Sequence, residues 1–334
     1  MTNTRKRPTL RDVARVAGVS EMTVSRVLRE TGVVSRRTRS HVMTVVEKMG
    51  YVQNQLAGSL ATARSNQVAV IIPSLVNNVF TEVMSGITGE LEKAGYNAVV
   101  GISDYDLQKE ETLIHSMMSW RPAGIIVPNI YHSERTFNIL RNADIPVVEI
   151  MNLSRTPIDM SVGLDQKAAG RHLAKHMFSR GYRRFGCVGW NADDFSAADR
   201  FSAIQEYLNA QGLEIFSPHL FEEPPNFSGG KAGLKQLLRL RPDLDAVFFS
   251  NDTAAMGGMI YCMEQGISLP GQLALAGFSG LETAQNFPMK LTTIATKRFD
   301  TGRIAARCIL NRLAKVPAKA ITDLGFELIT GETA

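Results

Sequence analysis

The amino-acid sequence predicts an α/β protein with a small all-α domain at the N-terminus, a linker and a large body of two similar halves. Three observations support this prediction. The first 50 residues carry apolar side chains at helical spacing, and from Val68 short β-branched runs alternate with amphipathic helices. The 334 residues are also enough for two or three domains.

Two short helices around a glycine are predicted in the segment TLRDVARVAGVSEMTVSRVL, from Thr9 to Leu28. Gly18 supplies the turn between them, and Ser20 is placed to cap the second helix. This pattern is typical of a helix-turn-helix, in which the outer face of the second helix reads DNA. The inner faces consist of Leu10, Val13, Ala14 and Ala17 in the first helix and Val24, Val27 and Leu28 in the second.

A third helix is predicted after Ser35, in RRTRSHVMTVVEKMG, and it ends at Gly50, so residues 1–50 form a three-helix headpiece. Residues 51–66 are rich in small and polar side chains and contain Gly58, which weakens an isolated helix by about 1 kcal/mol relative to alanine. We therefore predict a hinge here that becomes ordered on binding a partner. The apolar stripe of the third helix consists of Val42, Val45, Val46 and Met49.

Basic residues are concentrated at the N-terminus. Residues 1–66 hold 12 of the 37 Lys and Arg residues but only 4 of the 32 Asp and Glu residues, a net charge of +8. The rest of the chain has 25 basic and 28 acidic residues, a net charge of −3. Because neutralisation of phosphates supplies most non-specific affinity for nucleic acids, the simplest partner for the headpiece is an anionic polymer. The body needs a different partner.

The body is predicted to contain two α/β series. The strands VAVIIP, NAVVGI, AGIIVP and IPVVEI alternate with helices in the first, and FGCVGW, DAVFFS and LALAGF in the second, which begins near Asp165. Such alternation favours parallel sheets with helices on both faces, and two facing halves leave a cleft at the carboxyl ends of their strands. A late helix, Thr301–Leu313, and a strand, Thr322–Leu328, return the chain between the halves. We place the body at 67–334, with one subdomain at about 67–164 and 296–323 and the other at about 165–295 and 324–334.

Several other function classes lack support in the sequence. Cys187, Cys262 and Cys308 are odd in number and lack CxxC spacing, which argues against a disulfide scaffold or a zinc ribbon. His172 and His176 are one helical turn apart, but no third metal ligand is evident. Nucleotide-loop, zinc-protease and nucleophile-elbow motifs are missing, as are a signal peptide and an apolar run of membrane length. We therefore expect a soluble, cytoplasmic protein that is not an enzyme and has no cofactor or metal.

Along nearly its full length the chain resembles the LacI/GalR family of bacterial transcription regulators. The residues that carry the resemblance are the segment Thr9–Leu28, the following GYVQNQLAGSLA, and the body motifs FFSNDTAAMGG, LALAGF and LTTI. The segments IPSLVNNVFTEVMSGI, SMMSW, IPVVEIM and DLGFELITG are closest to the gluconate-operon repressor branch. The resemblance implies a body like the periplasmic binding proteins, a homodimer on double-stranded operator DNA, and a small-molecule effector in the cleft.

The resemblance also implies which residues contact DNA. In the major groove, Arg26 can donate two hydrogen bonds to guanine, Met22 can meet a thymine methyl group and Glu21 can accept from cytosine. In the hinge, Leu60 matches the apolar wedge that family members insert into the minor groove. Further DNA contacts, to the backbone or beside the wedge, are implied at Thr9, Thr23, Ser25, Ser35, Arg37, Thr38, Asn54 and Ala57.

Family effector sites imply a second set of residues near strand ends. Arg200 suits an acidic or polyhydroxylated ligand, because its planar guanidinium pairs two oxygens at once. Asn251 is expected to contact the ligand, and Asp252 either contacts it or caps its helix. Many relatives carry Asp where this chain has Ser279, and loss of that carboxylate makes the cleft more positive. The expected effector is therefore a sugar acid such as gluconate, or a phosphorylated derivative. The full effector set is Ser74, Phe80, Arg200, Asn251, Asp252 and Ser279.

Three other functions compete with a regulator that responds to a sugar acid. A small-molecule binding protein without DNA function, or a regulator that responds to a neutral sugar, would have the same α/β body. A sugar-modifying enzyme would need a nucleophile, an acid–base pair or a cofactor loop, and the sequence offers none. Because the headpiece is basic and has a helix-turn-helix pattern, the sequence favours a sequence-specific DNA-binding regulator, with repression as the expected mode of action.

Overall fold

The computed structural model describes residues 8–29, 31–52, 65–76, 78–189, 194–216 and 226–334. The chain divides into two compact units, residues 1–65 and residues 66–334. The first contains the predicted headpiece and the second is the body. Among the described residues, no helix combines the length and the apolar character needed to cross a membrane.

Three helices form the headpiece: α1 (Leu10–Ala17), α2 (Glu21–Leu28) and α3 (Arg36–Met49). Their ends lie where the sequence predicts. Ser20 and Ser35 cap α2 and α3 by accepting hydrogen bonds from backbone N–H groups of the first turn. Gly18 and Gly50 end α1 and α3 in the left-handed conformation, which glycine adopts without strain. The predicted helix-turn-helix and third helix are confirmed.

The headpiece helices bury a small apolar core. Val13, Val24 and Val42, one from each helix, are fully buried at its centre. Because the apolar residues of α2 turn toward this core, the opposite face of that helix is left to solvent. The core also contains Ala14, Ala17, Val27, Val45 and Val46, with Leu10, Leu28 and Met49 partly buried against it.

The first lobe of the body is built on a six-stranded sheet. Its strands are β1 (Gln67–Ile72), β2 (Asn97–Ile102), β3 (Gly124–Pro128), β4 (Val147–Asn152), β5 (Met160–Leu164) and β11 (Ile321–Asp323). They lie in the order β11–β5–β4–β3–β1–β2, and every neighbouring pair is parallel. Its helices are α4 (Val79–Lys93), α5 (Leu107–Met118), α6 (Glu134–Arg141) and α12 (Arg298–Leu313).

The second lobe repeats this plan. Its strands are β6 (Phe185–Val188), β7 (Ile215–Phe216), β8 (Ala246–Phe249), β9 (Ala274–Ser279), β10 (Thr292–Thr296) and β12 (Phe326–Ile329). They lie in the order β12–β10–β9–β8–β6–β7, parallel except for the antiparallel edge pair of β10 and β12. Its described helices are α7 (Gln166–Ser179), α8 (Phe195–Ala210), α9 (Phe227–Leu240), α10 (Asp252–Gln265) and α11 (Glu282–Gln285).

Both faces of the first sheet are covered by apolar packing. Val68, Val70 and Ile72 of β1 belong to one buried cluster, and the alternate residues Ala69 and Ile71 belong to another. Because successive side chains of a strand point to opposite faces, the two clusters lie on opposite sides of the sheet. This explains why the strand reads as a continuous apolar run, as parallel strands do. The predicted α/β fold with helices on both faces is confirmed.

The chain passes between the lobes three times, between β5 and α7, between β10 and α12, and between β11 and β12. The prediction of a single strand from Thr322 to Leu328 is wrong. The chain leaves the first sheet after Asp323 and joins the second at Phe326. Gly325 lies between them with φ +64°, a left-handed conformation that interrupts an extended strand. The sequence also gave no sign of β5.

Candidate functional site

The second helix of the headpiece carries a row of exposed side chains. Glu21 and Met22 in its first turn and Arg26 one turn later are all exposed, Met22 by 64 %. Val24 and Val27 of the same helix are buried in the core. The three side chains that the sequence assigns to base contacts therefore lie on the solvent side of α2.

The charged side chains of α2 make few contacts with other side chains. Glu21 Oε1 lies 3.9 Å from Arg11 Nε, and both side chains are exposed, so the pair contributes little to stability. The Arg26 side chain passes the turn at Gly32, where an added Cβ would lie 3.5 Å from its Cδ. With the other described residues its guanidinium forms no hydrogen bond or ion pair. Its donors are available to an external acceptor.

Four hydroxyl groups of the predicted DNA set lie at helix N-termini. Thr9 Oγ1 donates to Asp12 Oδ2 over 2.7 Å, and Thr23 Oγ1 lies 2.9 Å from the cap hydroxyl of α2. Ser35 Oγ accepts from Thr38 N at 3.1 Å and lies 2.8 Å from the Thr38 hydroxyl. These contacts fix the start of each helix, where unpaired backbone N–H groups favour an anion such as phosphate.

The remaining positions of that set fall into two groups. Ser25 is half-buried on α2, and Arg37 is exposed at the start of α3. Asn54, Ala57 and Leu60 lie outside the described residues.

A cavity lies between the two lobes, at the carboxyl ends of their parallel strands, where open α/β sheets bind ligands. Apolar walls come from both lobes, including Phe80 at the start of α4 and Phe278 near the end of β9. Polar groups point into the space between these walls. They include Tyr105, Asn129, Gln166, Ser250, Asn251 and Thr296.

Arg200, on α8, supplies a positive charge to this cavity. Its Nη1 donates to Gln166 Oε1 at 2.8 Å and its Nη2 donates to the Ser250 carbonyl oxygen at 3.1 Å. The guanidinium carbon lies 4.0 Å from the centroid of the Phe278 ring. Burial lowers the pKa of Arg200, and the Asp194 carboxylate opposes that shift. Since an arginine side chain stays protonated, the cavity holds a fixed cation.

The position of Arg200 depends on close packing between α7 and α8. A Cβ added at Gly170 would lie 2.3 Å from the Arg200 carbonyl oxygen, closer than atoms can approach. Glycine at this position lets α8 lie against α7 and so brings the arginine to the cavity edge.

Sequence reasoning missed a carboxylate in the same cavity. Asp194 lines it and caps α8, its Oδ1 accepting from Ala197 N at 3.0 Å. It partly offsets the extra positive charge expected from the absence of a carboxylate at Ser279. An Asp just before an amphipathic helix is an N-cap signal, and this signal could have placed Asp194 at the strand-to-helix turn beside Arg200.

Asn251, and not Asp252, caps the helix that follows β8. Asn251, a cavity residue, caps α10 with its Oδ1 accepting from Ala254 N at 2.8 Å. Asp252 is fully buried and does not line the cavity, so its assignment to the effector set is wrong. Its carboxylate accepts from the Thr293 hydroxyl at 2.6 Å and from Leu281 N at 2.7 Å. These bonds join β10 to the loop after β9.

Burial raises the pKa of Asp252 to about 6, although both hydrogen bonds to the carboxylate lower it. The carboxylate also leaves no space for a side chain at a neighbouring residue. A Cβ added at Gly277 would lie 2.4 Å from Asp252 Oδ1. Asp252 therefore holds the second lobe together behind the cavity and does not face a ligand.

The other predicted effector residues are placed as follows. Phe80 and Ser279 line the cavity, whereas Ser74 does not. Ser74 follows β1, one residue after the lining residue Pro73, and its Oγ accepts from Val76 N at 3.1 Å, so its contact with the effector stays a prediction. Ser279 has φ +127°, and its carbonyl oxygen accepts from the buried Arg298.

Hydrogen bonds cross between the lobes beside the cavity. Ser196 Oγ, on α8, lies 3.0 Å from Asn129 Oδ1 and 2.5 Å from Asn152 Oδ1. Gln166 Nε2 donates to the Met151 carbonyl oxygen at 3.1 Å. These residues end or follow strands of the first lobe or begin helices of the second, and the period of the apolar residues does not show that such positions are paired.

The remaining candidate residues, the cysteines and histidines, have structural roles. Burial raises the pKa of the Cys187 and Cys262 thiols to about 12, so both are protonated and poorly nucleophilic at neutral pH. The His172 ring packs against Phe326, with 5.7 Å between centroids. Across the described ranges, no group of three or more His, Cys, Asp or Glu side chains is arranged to hold a metal ion.

Both parts of the chain match family models. Residues 65–322 match the model described as periplasmic binding proteins and sugar binding domain of LacI family. Residues 9–54 match the model of bacterial regulatory proteins, lacI family. The first of these matches covers more than half of the chain, and the second covers the helix-turn-helix.

Individual relatives align over nearly the full length. The HTH-type transcriptional regulators IdnR and GntR of Escherichia coli (strain K12) are 33 % and 34 % identical over 331 residues, 98 % of this chain and 98 % of each relative. A crystal structure of a transcriptional regulator of the same family from Silicibacter pomeroyi is 43 % identical. It matches with a TM-score of 0.93 over 98 % of this chain and 99 % of that one.

Proposed function

Because the chain belongs to the LacI family of DNA-binding transcriptional regulators, we propose that it is a repressor that responds to a sugar acid. The effector we propose is gluconate or a phosphorylated derivative, bound in the cavity between the lobes. Its binding changes the affinity of the headpiece for operator DNA. A homodimer would place two headpieces on a near-palindromic operator, as the symmetry of paired half-sites requires.

The DNA-binding half of the proposal is supported by the exposed face of α2. Glu21, Met22 and Arg26 are the side chains of that helix that can reach base edges. The helix starts at Thr9 and Ser35 supply backbone N–H groups for phosphates, and the basic headpiece supplies long-range attraction. Base contacts then set sequence preference, and phosphate contacts set register.

The effector half of the proposal is carried by one observation, the position of Arg200 in the cavity. Its guanidinium is oriented by Gln166, Ser250 and the Phe278 ring. A preorganised planar fork pairs with a carboxylate or phosphate more strongly than with a hydroxyl. The neighbouring amide and hydroxyl groups suit the hydroxyls of a sugar chain, and the Phe80 wall suits its apolar edges.

The switch follows from the two-lobe arrangement. An effector that contacts both lobes binds one arrangement of the lobes better than another and shifts the equilibrium toward it. The altered lobe arrangement changes how the two hinges approach the operator. A coupling of roughly 1 to 3 kcal/mol between the two sites is enough for a 5- to 150-fold change in operator affinity.

Calorimetric titration tests the effector class. Gluconate is compared with sorbitol, which has the same hydroxylated carbon chain without the carboxylate, and with 6-phosphogluconate. We expect the acids to bind about 10- to 100-fold more tightly than sorbitol, the range of a charge-assisted hydrogen bond. Arg200→Lys keeps the charge but loses the fork, so it should reduce this preference. Arg239→Lys, an exposed arginine on α9, is the matched control.

A second candidate function is a regulator that responds to a neutral sugar. The Asp194 carboxylate favours it, because a carboxylate in the cavity accepts hydrogen bonds from sugar hydroxyls and repels an acid. Equal or tighter binding of sorbitol than of gluconate, together with loss of binding in Asp194→Asn, would establish this second function and refute the first.

A further inference from the structure

Tyr131 reaches from one lobe of the body to the other. It follows β3 of the first lobe, and its ring lies 5.0 Å from the ring of Phe195, at the start of α8 in the second lobe. Its hydroxyl donates to the Asp199 carboxylate, with oxygen distances of 3.2 and 3.3 Å. One side chain thus makes both an apolar and a charge-assisted contact across the cleft.

This contact lies outside the effector cavity. Tyr131 and Asp199 line an adjoining cavity, together with Lys167, and neither is part of the lining around Arg200, although Gln166 lines both cavities. Lys167 Nζ is 4.0 Å from Asp199 Oδ1 and 53 % exposed, and Asn152 of the first lobe also donates to this carboxylate, with its Nδ2 3.4 Å from Asp199 Oδ2. The interlobe contact therefore needs no ligand to complete it.

The next residue fixes Tyr131 to its own lobe. His132 is fully buried, with its Nδ1 2.6 Å from Glu110 Oε1 and its Nε2 3.9 Å from Glu149 Oε1. Glu149 is held in turn, because its Oε2 accepts from Ile158 N at 2.8 Å. A histidine between two buried carboxylates gives the loop a rigid base.

We propose that Tyr131 is a latch that holds the lobes together in the absence of effector through Asp199 and Phe195. The latch regulates the effector site of the proposed function and rests on it in that respect. Because this bond is long and Tyr131 is 39 % exposed, we expect it to favour the closed arrangement by about two- to tenfold. Since effector affinity scales with the closed fraction, loss of the latch weakens effector binding without removing a ligand contact.

The lobe arrangement can be measured directly as the distance between two spin labels. Glu134→Cys on α6 and Lys235→Cys on α9 are exposed labelling sites on different lobes, and the three native cysteines are buried. Labelled full-length chain is diluted with unlabelled chain, so that only distances within one chain are detected. Tyr131→Phe removes the hydroxyl alone, Tyr131→Ala removes the ring as well, and Asp199→Asn removes the charge of the acceptor.

Without ligand, we expect Tyr131→Phe and Asp199→Asn each to add a longer-distance population, and the double variant to add less than the sum of the two, because an asparagine can still accept from Tyr131. Tyr131→Ala should shift the distribution furthest. Tyr207→Phe, which removes a hydroxyl from α8 far from this contact, should leave it unchanged. If neither Tyr131 variant alters the distance distribution, the latch does not exist. Full additivity in the double variant would also refute it, because the two side chains would then act separately.

A gluconate titration of the same labelled proteins separates the latch from the effector. Saturating gluconate should restore the short distance in Tyr131→Phe, at a higher gluconate concentration than the parent protein needs. If the ligand-free distances change as expected but gluconate binds neither protein, the latch stands and the proposed effector is wrong. If gluconate binds both proteins equally and the ligand-free distances are unchanged, the latch is wrong and the effector stands.

Discussion

The guanidinium carbon of Arg200 lies 4.0 Å from the centroid of the Phe278 ring, on the wall of the cavity between the two lobes. The ring shields the cation from water on one side, while Nη1 donates to Gln166 and Nη2 donates to the Ser250 carbonyl oxygen. Such a contact contributes about 0.5 to 2 kcal/mol, depending on how far the pair is desolvated. Phe278 is thus part of the effector site although the sequence did not mark it.

Phe278→Leu should weaken gluconate binding by roughly 2- to 30-fold, the range of the lost cation–π contact. Operator binding by the ligand-free protein should not change. Phe178→Leu is the matched control, because Arg183 lies at the same 4.0 Å distance from Phe178, which is not part of the cavity lining. Titration calorimetry measures both variants, and equal losses in the two would mean that the effect is one of stability.

Arg26→Ala should weaken operator binding by roughly 5- to 150-fold, since a bidentate contact to guanine contributes about 1 to 3 kcal/mol. The preference at one base pair should relax as well. Fluorescence anisotropy with a duplex selected by the parent protein from random sequences measures the loss. Arg141→Ala, an exposed arginine of α6 in the body, is the control. Reduced gluconate affinity with intact operator affinity in Arg26→Ala would rule out the assignment of α2.

Asp252→Asn should become more stable relative to the parent protein as pH rises from 5 to 8. The folded-state pKa of Asp252, about 6, lies above its usual value of 3.8, so its contribution to stability is complete below pH 3.8 and is lost as pH rises through 6. Between pH 5 and 8 the relative gain is about 1 kcal/mol. An asparagine can still accept from Leu281 N and donate to the Thr293 hydroxyl.

Urea unfolding at a series of pH values measures this difference. A stability gap between Asp252→Asn and the parent protein that stays constant from pH 5 to 8 would show that Asp252 does not titrate in this range. Asp243→Asn, on the surface, is the control, since its salt bridge to Arg241 is exposed.

The headpiece could be predicted almost completely from the sequence. Its helices are set by local signals, the cap residues Ser20 and Ser35 and the left-handed glycines Gly18 and Gly50. Each acts within one or two helical turns, so neighbouring residues suffice to define it. The alternation of strands and helices in the body was predictable for the same reason.

The features that could not be predicted from the sequence depend on contacts between residues far apart in the chain. Strand β5 is a short segment with a glycine, Gly163, and it is stabilised by pairing with β4 and β11 on either side. The break at Gly325 separates strands that belong to different sheets. Asp252 has the same sequence context whether it caps a helix or faces a ligand, and its buried partner Thr293 lies on β10, 41 residues further along the chain. Tyr131 gave no signal in the sequence.

Operator binding with and without gluconate, in the parent protein and in Arg200→Ala, tests most directly the claim that effector and DNA sites are coupled through the cavity. We predict that adding gluconate to the parent protein changes its operator affinity by 5- to 150-fold, which corresponds to a coupling of about 1 to 3 kcal/mol between the two sites. Arg200→Ala should bind operator equally well without effector and show no response to gluconate. An unchanged gluconate response in Arg200→Ala would contradict the account.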